Sequence, residues 1–93
     1  MPNNLFISYD LNSPGQNYEA VVSAIKSLGS WAWLQKSVWY VNSSYSADAA
    51  GTRVIMSMDR DDSLLVIDAT NNSAYWRNIG SEASEFVRTQ WYR

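Results

Sequence analysis

At 93 residues the chain has the length of one domain, and its 46% apolar content is enough for a modest core. It contains neither cysteine nor histidine, which excludes disulfides, a thiolate nucleophile, an imidazole base and any thiolate or imidazole metal site. Seven basic against nine acidic residues leave a net charge of −2, which is not the basic footprint of a nonspecific DNA binder.

In chain order, Met1-Pro2-Asn3-Asn4 precedes an apolar run too short for a signal segment, and no later stretch approaches the length of a membrane span. The expectation is a cytoplasmic protein with no membrane partner. Leu5 to Tyr9 reads as a buried strand closed by Asp10. Leu11 to Asn17 is rich in turn residues and reads as a loop; Asn12-Ser13-Pro14-Gly15 could cradle a phosphate, but no Walker or dinucleotide pattern accompanies it. Tyr18, Val21, Val22, Ile25 and Leu28 share one helical face, and Gly29 is placed for a C-terminal cap.

The stretch from Ser30 to Val41 is too rich in Trp, Val and Tyr for a helix interior, so two strands are expected, near 31–34 and 37–42, joined by a tight turn or bulge. Trp31 and Trp33 alternate onto one strand face, where core or dimer packing is preferred over stacking on bases. Ser46 caps a second helix carrying Ala47, Ala50, Gly51, Val54, Ile55 and Met58. Asp59-Arg60-Asp61-Asp62 reads as a solvated polar turn, and Ser63 to Ala69 as a further strand. Ala74-Tyr75-Trp76 suggests a short edge strand, and Ala83, Phe86, Val87 and Trp91 a last helix.

The order β-α-β-β-α-β with a short C-terminal extension predicts a single α+β domain over 1–93, with a ferredoxin-like antiparallel sheet and helices on one face. The other face then needs a cover, and a second copy of the chain is the simplest one. Five Trp and six Tyr exceed what so small a core encloses, which also favours an interface. This topology brings the end of the first strand, Tyr9 and Asp10, beside Gln35, Lys36 and Ser37 on one side and Asp59, Asp61, Asp62 and Ser63 on the other. In a dimer that pairs these edges, two Asp10 carboxylates could hold one divalent cation. With only oxygen ligands on offer, that cation would be magnesium, manganese or calcium. The competing reading is an Asx-turn in which Asp10 accepts the amide two residues on.

The run Leu5-Phe6-Ile7-Ser8-Tyr9-Asp10, followed by a helix and then by Gln35-Lys36-Ser37-Val38-Trp39, resembles the small CRISPR-associated endonuclease that partners the spacer integrase, and its stand-alone relatives. The resemblance spans about residues 4 to 69. It implies a ferredoxin-like homodimer of antiviral defence with Asp10 as catalytic and metal ligand, Mg2+ as cofactor, Ser37 nearby, and RNA or DNA as substrate. The loop after Asp10 lacks the basic residues common in that family. The alternative is a phage or defence-related protein that serves as a non-catalytic dimeric module binding a nucleotide or a protein partner.

Overall fold

A computed structural model of the chain describes residues 2–12 and 18–91. Its elements follow the expected order: β1 Asn3–Asp10, α1 Tyr18–Lys26, β2 Gly29–Gln35, β3 Val38–Ser43, α2 Ala47–Ile55, β4 Ser63–Asp68, β5 Ser73–Arg77 and α3 Ser81–Gln90. The five strands form one sheet in the order β2-β3-β1-β4-β5, with every neighbouring pair antiparallel. β1 is therefore central and runs against both β3 and β4, which puts its Asp10 end beside the start of each.

Alternation along the strands divides the sheet into two unlike faces. Leu5, Ile7 and Tyr9 of β1, Trp39 and Val41 of β3, and Leu64 and Val66 of β4 are buried. They meet Val21 and Ile25 of α1 and Ala47, Ala50 and Val54 of α2 in one apolar cluster, so both helices cover the same face. Burial of this kind stabilises by roughly 25 cal/mol per Å² of apolar surface removed from water. The opposite face carries Phe6, Val38, Tyr40, Leu65 and Ile67, all half-buried or exposed, and neither α1 nor α2 covers it. Phe6 and Tyr40 pack there with ring centroids 5.5 Å apart.

Caps and stops have local causes. Ser46 Oγ accepts the Ala49 amide at 3.1 Å and starts α2. Buried Asp68 ends β4: its Oδ1 accepts the Thr70 and Asn71 amides, and its Oδ2 accepts Asn71 Nδ2. Gly51 lies on the α2 face toward β5, where a Cβ would stand 2.2 Å from Tyr75 Cδ2; its absence lets the aromatic ring lie against the helix.

Two expectations are corrected. Gly29 does not cap α1 but opens β2, where an added Cβ would lie 2.1 Å from the Asn42 carbonyl oxygen, so close strand approach requires the glycine. Of core or dimer packing for Trp31 and Trp33, the core placement is corrected: they are 46% and 62% exposed on β2, the edge strand of the sheet. The ring of Trp39, one strand in, is buried beneath them, with centroids 5.4 Å from Trp31 and 6.3 Å from Trp33. Lys26 Nζ sits 4.4 Å from the Trp31 centroid. No helix among the described residues is long and apolar enough to cross a membrane.

Candidate functional site

The end of β1 gathers the residues that the topology anticipates. Asp10 pairs in register with Ser63 of β4, and the Tyr9 amide donates to the Ser37 carbonyl at 3.2 Å on the β3 side. Asp10 follows Phe6 and Ser8 onto the face that α1 and α2 leave open and is exposed. It borders a shallow hollow of about 80 Å³ shared with Ser8, Ser63, Leu65 and Ile79. Its carboxylate has no hydrogen bond or ion pair among the described residues.

The neighbouring residues divide by orientation. Tyr9 also lines Asp10's hollow, but its side chain is buried on the helix side, its ring tilted against Tyr18 at 6.4 Å. Ser37 contributes its carbonyl to β1. Asp62 departs from expectation: it is fully buried and not part of a solvated turn. Its Oδ1 accepts the Asn12 amide at 2.9 Å and its Oδ2 accepts the Asp59 amide at 2.7 Å, so one carboxylate ties the loop after β1 to the turn before β4. Asn12 Nδ2 donates to the Asp61 carbonyl across the same junction.

This junction bears on the Asx-turn reading of Asp10 alone. An Asx-turn at Asp10 would draw on the Asn12 amide. That amide is held by Asp62, fifty residues away in sequence, so among the described residues the Asp10 carboxylate does not close this turn.

Asp59, Asp61 and Asp62 each offer a carboxylate oxygen within 4.8 Å of the others, a set able to hold a metal ion. Asp10 does not belong to this group. Asp59 and Asp61 are exposed, whereas Asp62 already serves two amides. Hard oxygen donors suit magnesium or calcium at either place. The surrounding end of the sheet is also where Lys36, Arg60 and Arg77 lie. Arg77 Nη2 donates to the Arg60 carbonyl at 3.0 Å, and Asn78 Nδ2 donates to the Asp62 carbonyl at 3.0 Å, which closes the turn against the end of β5.

Ser8, Ser63 and Ile79 belong to the Asp10 hollow, yet only Ser63 was legible beforehand. Ser8 has the parity of Asp10 along β1 and could have been found that way. Ile79 carries no sequence signal, because it arrives from the turn after β5. The phosphate-cradle reading of Asn12 to Gly15 falls largely on residues 13–15, outside the described residues. No family model, curated protein or solved structure matches this chain.

A second concavity lies at the other end of β5. It has a volume of about 250 Å³ and is walled by Trp76, Trp91 and Arg88 together with Ser46 and Asp48 at the start of α2. The Trp76 indole N–H donates to Ser84 Oγ at 2.7 Å, and the Trp91 indole N–H donates to the Asn72 carbonyl at 2.9 Å, so both rings are held in place.

Proposed function

We propose that the chain is a ferredoxin-like homodimer joined through the uncovered face of its sheet, and that Asp10 of each copy binds one shared magnesium ion for cleavage of RNA or DNA phosphodiesters. The observation that carries this reading is the Asp10 carboxylate, unengaged among the described residues, at the rim of a sheet face that α1 and α2 leave open, with the Asn12 amide taken by Asp62. The order β2-β3-β1-β4 with both helices on one side supports the ferredoxin-like assignment. The resemblance of Leu5 to Asp10 and of Gln35 to Trp39 to the small CRISPR-associated endonucleases supports the chemistry.

Within this reading each residue has a stated task. Asp10 supplies hard oxygen, and its twin doubles the negative charge that one carboxylate alone offers a dication. The Ser8 and Ser63 hydroxyls flank it as hydrogen-bond partners for a phosphate oxygen or water. Lys36 and Arg60, near the same end, offset the acidity of the chain where a polyanion would approach. When bound, the metal would polarise the phosphate and lower the pKa of a water. The chain has no histidine or cysteine to take a proton or attack in its place.

The test is magnesium-dependent cleavage of single- and double-stranded RNA and DNA by the wild type and Asp10→Ala. Loss of at least a hundredfold in the variant, with its dimer and circular dichroism intact, is expected. Equal cleavage by both proteins, or none by the wild type in magnesium, manganese or calcium, overturns the reading.

A second reading is a non-catalytic module for a nucleotide or a protein partner. It is favoured by the 250 Å³ concavity, whose two fixed indoles and guanidinium suit a planar ligand. A thermal shift with nucleotides that needs no metal and survives Asp10→Ala would favour it over the nuclease.

A further inference from the structure

The two edges of the sheet are finished differently. β5 ends in Arg77 and is flanked by α3 through the bond from Trp76 to Ser84. β2 has no such protection. Every residue of Gly29–Gln35 is exposed, and the strand contains no charge and no proline. Its outer side pairs with nothing among the described residues. Proteins normally blunt such an edge with lysine, proline or a bulge, because unpaired strand amides and carbonyls recruit another strand. Only one such device is present, the irregularity between Trp33 and Gln35.

We propose that β2 is an interface on which a second copy of this chain adds its own β2 antiparallel, centred on Ala32, to make a continuous ten-stranded sheet. The strand is self-complementary about that centre. Trp31 of each copy falls opposite Trp33 of the other, which gives two cross-strand indole pairs on one face, and Ser30 falls opposite Leu34. No like charges meet. The three largest exposed apolar side chains of the edge, Trp31, Trp33 and Leu34 at 46%, 62% and 51%, are thereby covered together. Trp33 already packs on Trp39, so the added pair extends an aromatic row anchored in the core. Centring on Trp31 would instead set Trp33 against Gly29 and lose one of the two pairs. This interface is separate from the face that carries Asp10.

A cysteine-free chain makes the test direct. In Ala32→Cys the two thiols stand opposite each other, with Cβ atoms about 4.5–5.5 Å apart, within reach of a disulfide after modest adjustment. In Ser30→Cys the two thiols lie roughly 13 Å apart along the paired strands. Mild oxidation should convert most of Ala32→Cys to a covalent dimer and leave Ser30→Cys largely uncrosslinked. Sedimentation velocity should show the mass of the assembly falling at least by half in Trp33→Lys. Crosslinking of Ala32→Cys no greater than that of Ser30→Cys, or an unchanged mass in Trp33→Lys, overturns the proposal. Asp10→Ala should crosslink normally when combined with Ala32→Cys, so failure of the magnesium reading and failure of this one are told apart.

Discussion

Gly51→Ala sets two known effects against each other at one position. In an open helix the change stabilises by about 0.5–1 kcal/mol, because glycine loses more backbone freedom on folding. Here the new methyl would stand 2.2 Å from Cδ2, 2.5 Å from Cε2 and 2.8 Å from Cγ of Tyr75. The near atoms include the ring's attachment carbon, so a swing of the ring tip does not relieve the contact, and α2 and β5 must separate. Overpacking of this kind costs about 1–3 kcal/mol. The clash therefore wins, and a net loss of about 1–2 kcal/mol is expected from these opposing contributions. For a domain of this size that lowers Tm by roughly 4–8 °C per kcal/mol. Thermal melts followed by circular dichroism measure it, with Tyr75→Ala as background: there the same glycine change should become neutral or stabilising. A Gly51→Ala protein as stable as the wild type with Tyr75 present would refute the reasoning.

Three further outcomes follow from the same physics. Asp62→Asn should cost about 1.5–3 kcal/mol by turning an amide donor toward a backbone amide, whereas exposed Asp61→Asn should stay within about 0.5 kcal/mol; urea titrations giving equal midpoints for the two variants would contradict this. Trp39→Phe should cost under about 2 kcal/mol although Trp39 is buried, because its indole nitrogen has no hydrogen-bond partner among the described residues and the loss of volume is offset by removal of an unpaired donor. Trp39→Ala removes the same donor but leaves a far larger void, so it should cost about 3–5 kcal/mol, and chemical denaturation of the pair tests the difference.

Local pattern carried most of the fold. The apolar face of Tyr18 to Leu28, the capping Ser46 and the apolar run of Ser63 to Ala69 each specify an element by themselves. With the preference for neighbouring connections, they also place β1 at the centre of the sheet. What periodicity could not supply was position within the sheet. Trp31 and Trp33 have the alternation of a buried strand, and only the strand order reveals that they sit at an edge. Gly29 follows a helix, where a cap is the usual meaning, but the constraint on it comes from Asn42 on the neighbouring strand.

The site was half legible for the same reason. Asp10 and its meeting with Ser37 and Ser63 follow from antiparallel register. The inward turn of Asp62 does not, because a run of three acids and an arginine looks solvated until Asn12 and Asp59 are found to direct their amides at one of them. Short-range rules allow an Asx-turn at Asp10 as readily as a ligand role, and only the contact between residues 12 and 62 shows that the Asn12 amide turns elsewhere.

Calorimetric titration of the wild type with magnesium, repeated on Asp10→Asn, addresses the shared carboxylate site most directly. One ion per two chains, with binding lost in Asp10→Asn while the dimer persists by light scattering, is the predicted result. One ion per chain, or an isotherm unchanged by Asp10→Asn, would contradict it and move any metal to Asp59, Asp61 and Asp62.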